Sequence, residues 1–339
     1  LSRLVLRKKK LPFKRKGRLR RKALRNSRGR TRSLTAGVKS GDSFNEGYNT
    51  GYNKGYNGGH EEGYRQGKYD GEGRNEWRDG VDGLIDSFIP EYEILPDFTA
   101  EQIVAAGVEH LRPHFRHMLT PDELAGRILH ALDTRSPFSL VRIGDGELLT
   151  LAQGSVLSVE QVKEQGPFLG YAGVDVPDFD ARDQVKEAIK QATVVGIPKL
   201  RVRNFQPLAL AVFNAHGIGY GSVTLTDSLI NYYLYHAGHI SRIVGGRRVL
   251  IAGMLAEPLA DYMRQNGVNV VATVSPVEGV KDVPRVMEEI AARDFDIALV
   301  AAGVAAVLLS QRIATELGKV AIDFGHLANS MIKGEAPFK

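Results

Sequence analysis

The segment Ser139-Leu140-Val141-Arg142-Ile143-Gly144-Asp145-Gly146-Glu147 carries a β-rich apolar run to an abrupt stop at two carboxylates separated by one glycine. Asp145 and Glu147 can turn toward one point only if the backbone bends between them, and Gly146 permits such a bend at little steric cost. Two hard oxygen ligands just past a strand end suit a divalent cation, Mn2+ or Mg2+, that keeps waters and completes its shell from a phosphate. The competing reading is a solvated turn, because Asp and Gly are ordinary turn formers. On this segment alone the turn is the simpler explanation.

The elements that must position these residues lie in region 96–339. Thr120-Pro121-Asp122-Glu123 reads as a capping-box helix start with proline at the first helical position. Leu124, Ile128, Leu129 and Leu132 continue it as a helical apolar stripe. After the strand 139–143, the pattern predicts a helix over 179–192, a strand over 193–197, and a short strand 223–225 ahead of a helix from Asp227. It then predicts strand 248–252, helix 257–265, strand 268–274, helix 283–293, strand 297–301, helix 305–317 and a last strand 319–322. Strands alternating with helices in this way imply βαβ units and an α/β, Rossmann-like fold: a mostly parallel sheet with flanking helices.

In open α/β sheets ligands bind outside the carboxyl ends of the strands. Those ends here carry Gly144-Asp145-Gly146-Glu147, Gly253-Met254, Ser275-Pro276, Ala302-Gly303 and Asp323-Phe324-Gly325-His326. Each is weak alone, since glycines after strands serve tight turns and a lone histidine is often structural. Their common edge makes Asp145, Glu147, Asp323 and His326 the candidate catalytic set. Arg142, Gly144, Gly146, Gly253 and Gly303 are the candidates for holding a phosphate-bearing ligand. Arg142 reads equally well as a phosphate ligand or as an alternating residue on the strand's polar face.

Competing chemistries fit poorly. Gly245-Gly246 precedes its strand, and Gly253-Met254-Leu255-Ala256 lacks the G-x-G-x-x-G spacing of a dinucleotide site. There is no P-loop, no G-x-S-x-G nucleophile elbow and no H-E-x-x-H pair. His110, His114 and His117 sit near Pro113 and read as decoration of a helix end. Asp227, Asn231 and Glu257 are candidate bases, read first as caps or surface groups. What remains is a metal–diphosphate enzyme, in which a cation held by a D-x-E pair neutralises charge on a departing nucleoside diphosphate.

Charge divides the chain. Residues 1–32 hold 16 Lys and Arg and no Asp or Glu; of the 45 basic residues 29 remain to face 39 acidic ones, a net of −10 behind an overall +6. The folded body is therefore acidic, which excludes a simple basic nucleic-acid-binding domain. We divide the sequence into a basic, disordered arm (1–36), a low-complexity Gly/Tyr repeat and linker (37–95), and the α/β catalytic region (96–339). The arm suits an acidic partner or an anionic membrane surface, and less well nucleic acid. Glycines at 47, 51, 55, 59, 63, 67 and 71, often followed by tyrosine, suggest a spacer able to self-associate. There is no cysteine for a disulfide or thiolate site, no transmembrane-length apolar run and no secretory-signal pattern.

Arg142-Ile143-Gly144-Asp145-Gly146-Glu147 resembles the R-x-G-D-G-E segment of the GT-D-type glycosyltransferases, and Ala321-Ile322-Asp323-Phe324-Gly325-His326 resembles that family's closing strand and D-x-G-H turn. The resemblance covers roughly residues 120 to 330 and none of the arm or repeat. It implies transfer of a sugar from a nucleotide donor, commonly a UDP-sugar, to a glycan or glycoprotein acceptor, in a bacterial cytoplasmic enzyme with peripheral membrane contact left open. Carried over by position, Asp145 and Glu147 become the metal–diphosphate pair, and Asp323 and His326 active-site residues. The alternative is a non-catalytic assembly or surface-associated protein, with self-associating repeats and a degenerate ligand-binding domain.

Overall fold

The computed structural model describes residues 74–339, with side chains from Gly80 onward. The basic arm and the glycine–tyrosine repeat lie outside the described residues. Contacts divide the chain between Glu109 and His110. In the first unit, helix α1 (Arg74–Asp86) falls within the stretch read from sequence as linker, and α2 (Ala100–His110) buries none of its residues.

The second unit is built on eight strands: β1 (Met118–Leu119), β2 (Phe138–Arg142), β3 (Val194–Ile197), β4 (Leu225–Asp227), β5 (Val249–Gly253), β6 (Val270–Val274), β7 (Ile297–Ala301) and β8 (Val320–Asp323). They form one sheet in the order β1-β4-β3-β2-β8-β7-β5-β6, and every pairing is parallel. The expected Rossmann-like α/β class is what the chain adopts.

Period-two alternation sends strand residues to two cores. Val141, Val195, Leu250, Val300 and Ala321 face one; Leu140, Val194, Ile251, Leu299 and Ile322 face the other. Because both faces are covered, the strands read as continuous apolar runs rather than alternating ones. The first face carries α4 (Asp145–Ala152), α5 (Val159–Gln165), α6 (Phe179–Gln191), α7 (Gln206–Ala215), α11 (Val283–Ala291) and α12 (Ala305–Leu317). The second carries α3 (Pro121–Thr134), α8 (Ile230–His236), α9 (His239–Val244), α10 (Ala256–Gln265) and α13 (Leu327–Ile332).

Helix α3 starts with the capping box read from sequence: Thr120 accepts from the Glu123 N–H, while the Glu123 carboxylate accepts from the Thr120 N–H. His117 sits beside that cap, paired with Glu123 at 3.2 Å. Two expectations shift. The strand expected at 223–225 runs Leu225–Asp227, and its helix begins at Ile230 rather than Asp227, because the Asp227 carboxylate turns to accept the Leu229 N–H at 2.9 Å. The short helices α4, α5, α7, α9 and α13, of six to ten residues, were not anticipated.

Candidate active site

Strands β2 and β8 are parallel neighbours, with Leu140 opposite Ile322. The chain leaves β2 into α4 on one face of the sheet and β8 into α13 on the other. Adjacent strands with exits to opposite faces are where open α/β sheets keep a crevice at the strand ends. Asp145 and Glu147 follow β2 there, and Asp323 and His326 close β8.

The D-x-E pair is not a bent turn. Gly144 is the extended N-cap of α4 (φ −103°, ψ −164°), and Asp145-Gly146-Glu147 is the helix's first turn. Gly146 is buried inside that turn and does not bend the chain. Glu147 reaches back so that its Oε2 accepts the Gly144 N–H at 2.7 Å, and Asp145 Oδ1 accepts the Gly146 N–H at 3.0 Å. Acidic side chains at this position also complement the helix dipole. The amino end of α4 is thus occupied by the chain's own carboxylates, and a phosphate does not dock there without a cation between.

Arg142, the last residue of β2, points inward. Its Nε donates to the Asp323 carbonyl (3.0 Å), Nη1 to the Ser228 carbonyl (3.0 Å) and Asn231 Oδ1 (3.3 Å), and Nη2 to Asp323 Oδ1 (2.9 Å). The guanidinium therefore ties the ends of β2, β4 and β8 together. Room for it comes from Gly325, at φ +54°, where a Cβ would lie 1.8 Å from Nη2. Asn231 completes the tie by donating from Nδ2 to the Phe324 carbonyl at 3.0 Å. It is buried, neither a base nor a surface group. Glu257 is likewise occupied, accepting from the Thr273 hydroxyl.

Burial, reinforced by the charges of Asp323 and Asp145, pushes the Glu147 carboxyl up to about 7. Asp323 is also raised by burial, against the pull of Arg142. His326 is lowered by burial and by Arg142, with Asp323 and Asp145 opposing. These mutual influences put Asp145, Glu147, Asp323 and His326 within one electrostatic neighbourhood. Asp323 pairs with Arg142, and the Asp323 and Asp145 carboxyls act on Glu147. Among the described residues no group of three or more His, Asp or Glu side chains is arranged as a metal cage. Asp145 and Glu147 offer two hard oxygen donors, fewer than a divalent cation takes, so a cation held by them would need further oxygen ligands.

Gly253 ends β5 and Gly303 follows β7, and each is accounted for by neighbouring backbone. A Cβ on Gly253 would lie 2.1 Å from the Ala301 carbonyl oxygen, and one on Gly303 2.7 Å from that of Ala172. A separate cavity of about 500 Å³ beside α3, lined by Leu119, Glu123, Arg127, His130 and Phe138 among others, contains none of the candidate residues. Sequence reasoning missed Gly325 and the structural role of Asn231. The latter left a signal, a polar residue on the apolar face of Ile230, Leu234 and Tyr235.

A doubly covered parallel sheet with acidic groups at the ends of two adjacent central strands defines a Rossmann-like enzyme class. The chain belongs to the family described as the GT-D fold-like domain, whose model matches residues 119–331. It is similar to a solved structure described as a new glycosyltransferase (domain of unknown function 1792) from Streptococcus sanguinis, with 15% identity and a TM-score of 0.45, over 66% of this chain and 86% of that one. Another similar structure is described as the highly conserved domain of unknown function 1792 with a distinct glycosyltransferase fold (16% identity, TM-score 0.41, 66% of this chain and 83% of that one). No curated protein matches the chain.

Proposed function

We propose that the protein is a glycosyltransferase that moves a sugar from a nucleotide donor, a UDP-sugar, to a glycan or glycoprotein acceptor. The observation that carries the reading is the meeting of Asp145, Glu147, Asp323 and His326 at the adjacent ends of β2 and β8 in a chain of the GT-D fold-like family. Asp145 and Glu147 would hold a divalent cation, which when bound would supply charge neutralisation for a departing nucleoside diphosphate.

The protein's own residues prepare that site. Arg142 orients Asp323 and locks the β8 turn, and Glu147 caps α4 through its Oε2. In transfer, the acceptor oxygen bonds to the sugar's anomeric carbon as the bond to the diphosphate breaks, and the hydroxyl proton passes to a base. His326, kept neutral by burial, is the candidate acceptor of that proton. None of the described helices is long and apolar enough to cross a membrane, and the reading sets the enzyme in a bacterial cytoplasm with its region 96–339 as the catalytic part.

Calorimetric titration of UDP into the protein, with and without Mn2+, tests the reading. Metal-dependent binding that disappears in the Asp145→Ala/Glu147→Ala variant supports it. Binding that needs no metal and survives in that variant overturns the role given to the pair.

A further inference from the structure

Phosphate oxygens are usually met by cations, and Arg142, the cation nearest the carboxylates in sequence, is turned inward. The segments between each strand's carboxyl end and the next helix show where another cation can come from. Those after β1, β2, β4, β5, β7 and β8 contain no Lys or Arg, and the one after β6 contains only Lys281, which is paired with Asp175 at 2.9 Å. The segment after β3, Pro198-Lys199-Leu200-Arg201-Val202-Arg203-Asn204-Phe205, contains three and no acid. All three are exposed, and none has a hydrogen bond or ion pair among the described residues.

This loop adjoins the candidate site. Strand β3 pairs with β2 so that Gly196 stands opposite Arg142, and Gly196's carbonyl accepts the Ile143 N–H at 2.8 Å. The loop therefore departs from the same sheet edge, one strand over from the D-x-E turn. It also ends on two buried acceptors without a partner, Asn204 Oδ1 and Gln206 Oε1. Buried polar atoms in native proteins are nearly always satisfied by protein or by ordered water, so these two acceptors leave the loop's end open to a donor from water or from a ligand.

We propose that the β3–α7 loop is the diphosphate-binding element of the donor subsite, with Lys199, Arg201 and Arg203 taking the phosphate oxygens of a nucleoside diphosphate. The proposal rests on the transferase reading and assigns it a residue set that lies outside the two sequence motifs. The division of labour follows from charge. The carboxylates hold the cation, and the loop supplies the side-chain charge that the inward-turned Arg142 does not.

The test is calorimetric titration of UDP, with uridine as the phosphate-free control, into the full chain in the presence of Mn2+. Wild type is compared with Lys199→Ala/Arg201→Ala/Arg203→Ala and with Arg201→Lys/Arg203→Lys. The triple variant is expected to bind UDP roughly ten- to a hundredfold more weakly, with an unchanged Tm because the three side chains have no internal partners. The lysine variant keeps the charge and most of the affinity, and wild-type binding weakens more steeply with salt than that of the triple variant. Equal UDP affinity in wild type and triple variant overturns the proposal and leaves the transferase reading standing. Failure of wild type to bind UDP, GDP, ADP or dTDP overturns both.

Discussion

Arg142 makes four hydrogen bonds to groups at the ends of β4 and β8 and on α8, and its partner Asp323 is almost fully enclosed. Removing one member of such a pair leaves the other buried and uncompensated. Arg142→Ala is therefore expected to cost about 3 kcal/mol in a urea-unfolding experiment, and Gly325→Ala is expected to destabilise as well, because its Cβ would occupy the guanidinium's place. Full stability in both variants would show that the tie is dispensable. Glu147 makes a prediction with a sign. Its folded-state value of about 7 stands above its usual 4.5, so its contribution to stability is fully present below about pH 4.5 and is lost as pH rises through 7. Glutamine keeps the cap to the Gly144 N–H without the buried charge. Glu147→Gln should thus gain on wild type between pH 5 and pH 8, reaching about 3 kcal/mol at most. A bound divalent cation favours the carboxylate and should shrink the gain. A gap that does not change with pH would contradict the placement of this carboxyl.

Helix α4 shows how far local pattern carries at the scale of elements. The long strands and helices were legible because β2, β5, β7 and β8 are continuous apolar runs and α3, α6 and α12 are three or more turns long. The capping box at Thr120 was legible in full, and Thr120→Ala should cost about 1 kcal/mol by the same unfolding measurement. The short helices α4, α5, α7, α9 and α13 leave too few periods to read, and their stability comes from packing rather than propensity. That is why the D-x-E segment was expected as a glycine-bent turn although it is the first turn of α4. The two pictures predict opposite outcomes for Gly146→Ala. In the turn, added Cβ bulk would hinder the bend. In the helix, the new Cβ meets Val304, Ala172 and Phe168 at 3.7 to 3.8 Å, ordinary contact distances, and alanine is the better helix former by up to ~1 kcal/mol. Unchanged or raised stability is expected. The strand-end placement of Asp145, Glu147, Asp323 and His326 was likewise legible, because order along the chain assigns each to a strand terminus. The inward direction of Arg142 was not, because it depends on Ser228, Asn231 and Asp323, which are distant in sequence.

The whole molecule joins two regions of opposite charge. Residues 1–32 bring 16 basic groups to a chain whose remainder is net −10, so the overall +6 describes neither part. An acidic body is repelled by anionic surfaces and, on average, by anionic substrates, which makes local cations such as Lys199, Arg201 and Arg203 matter more at the site. The arm has the opposite tendency. Polybasic segments gain affinity for anionic membranes additively and lose it with salt. Deleting residues 1–36 should therefore separate two behaviours. The full chain is expected to co-sediment with vesicles containing phosphatidylglycerol at low salt and to be released as salt rises. The shortened chain, its net charge reversed to −10, should stay in the supernatant throughout. Its affinity for UDP in the presence of Mn2+ should be unchanged, because every residue assigned to that site lies between 142 and 326. Vesicle binding that persists without the arm would place the membrane-seeking charge in the folded body, and the β3–α7 loop would be the first segment to neutralise in locating it.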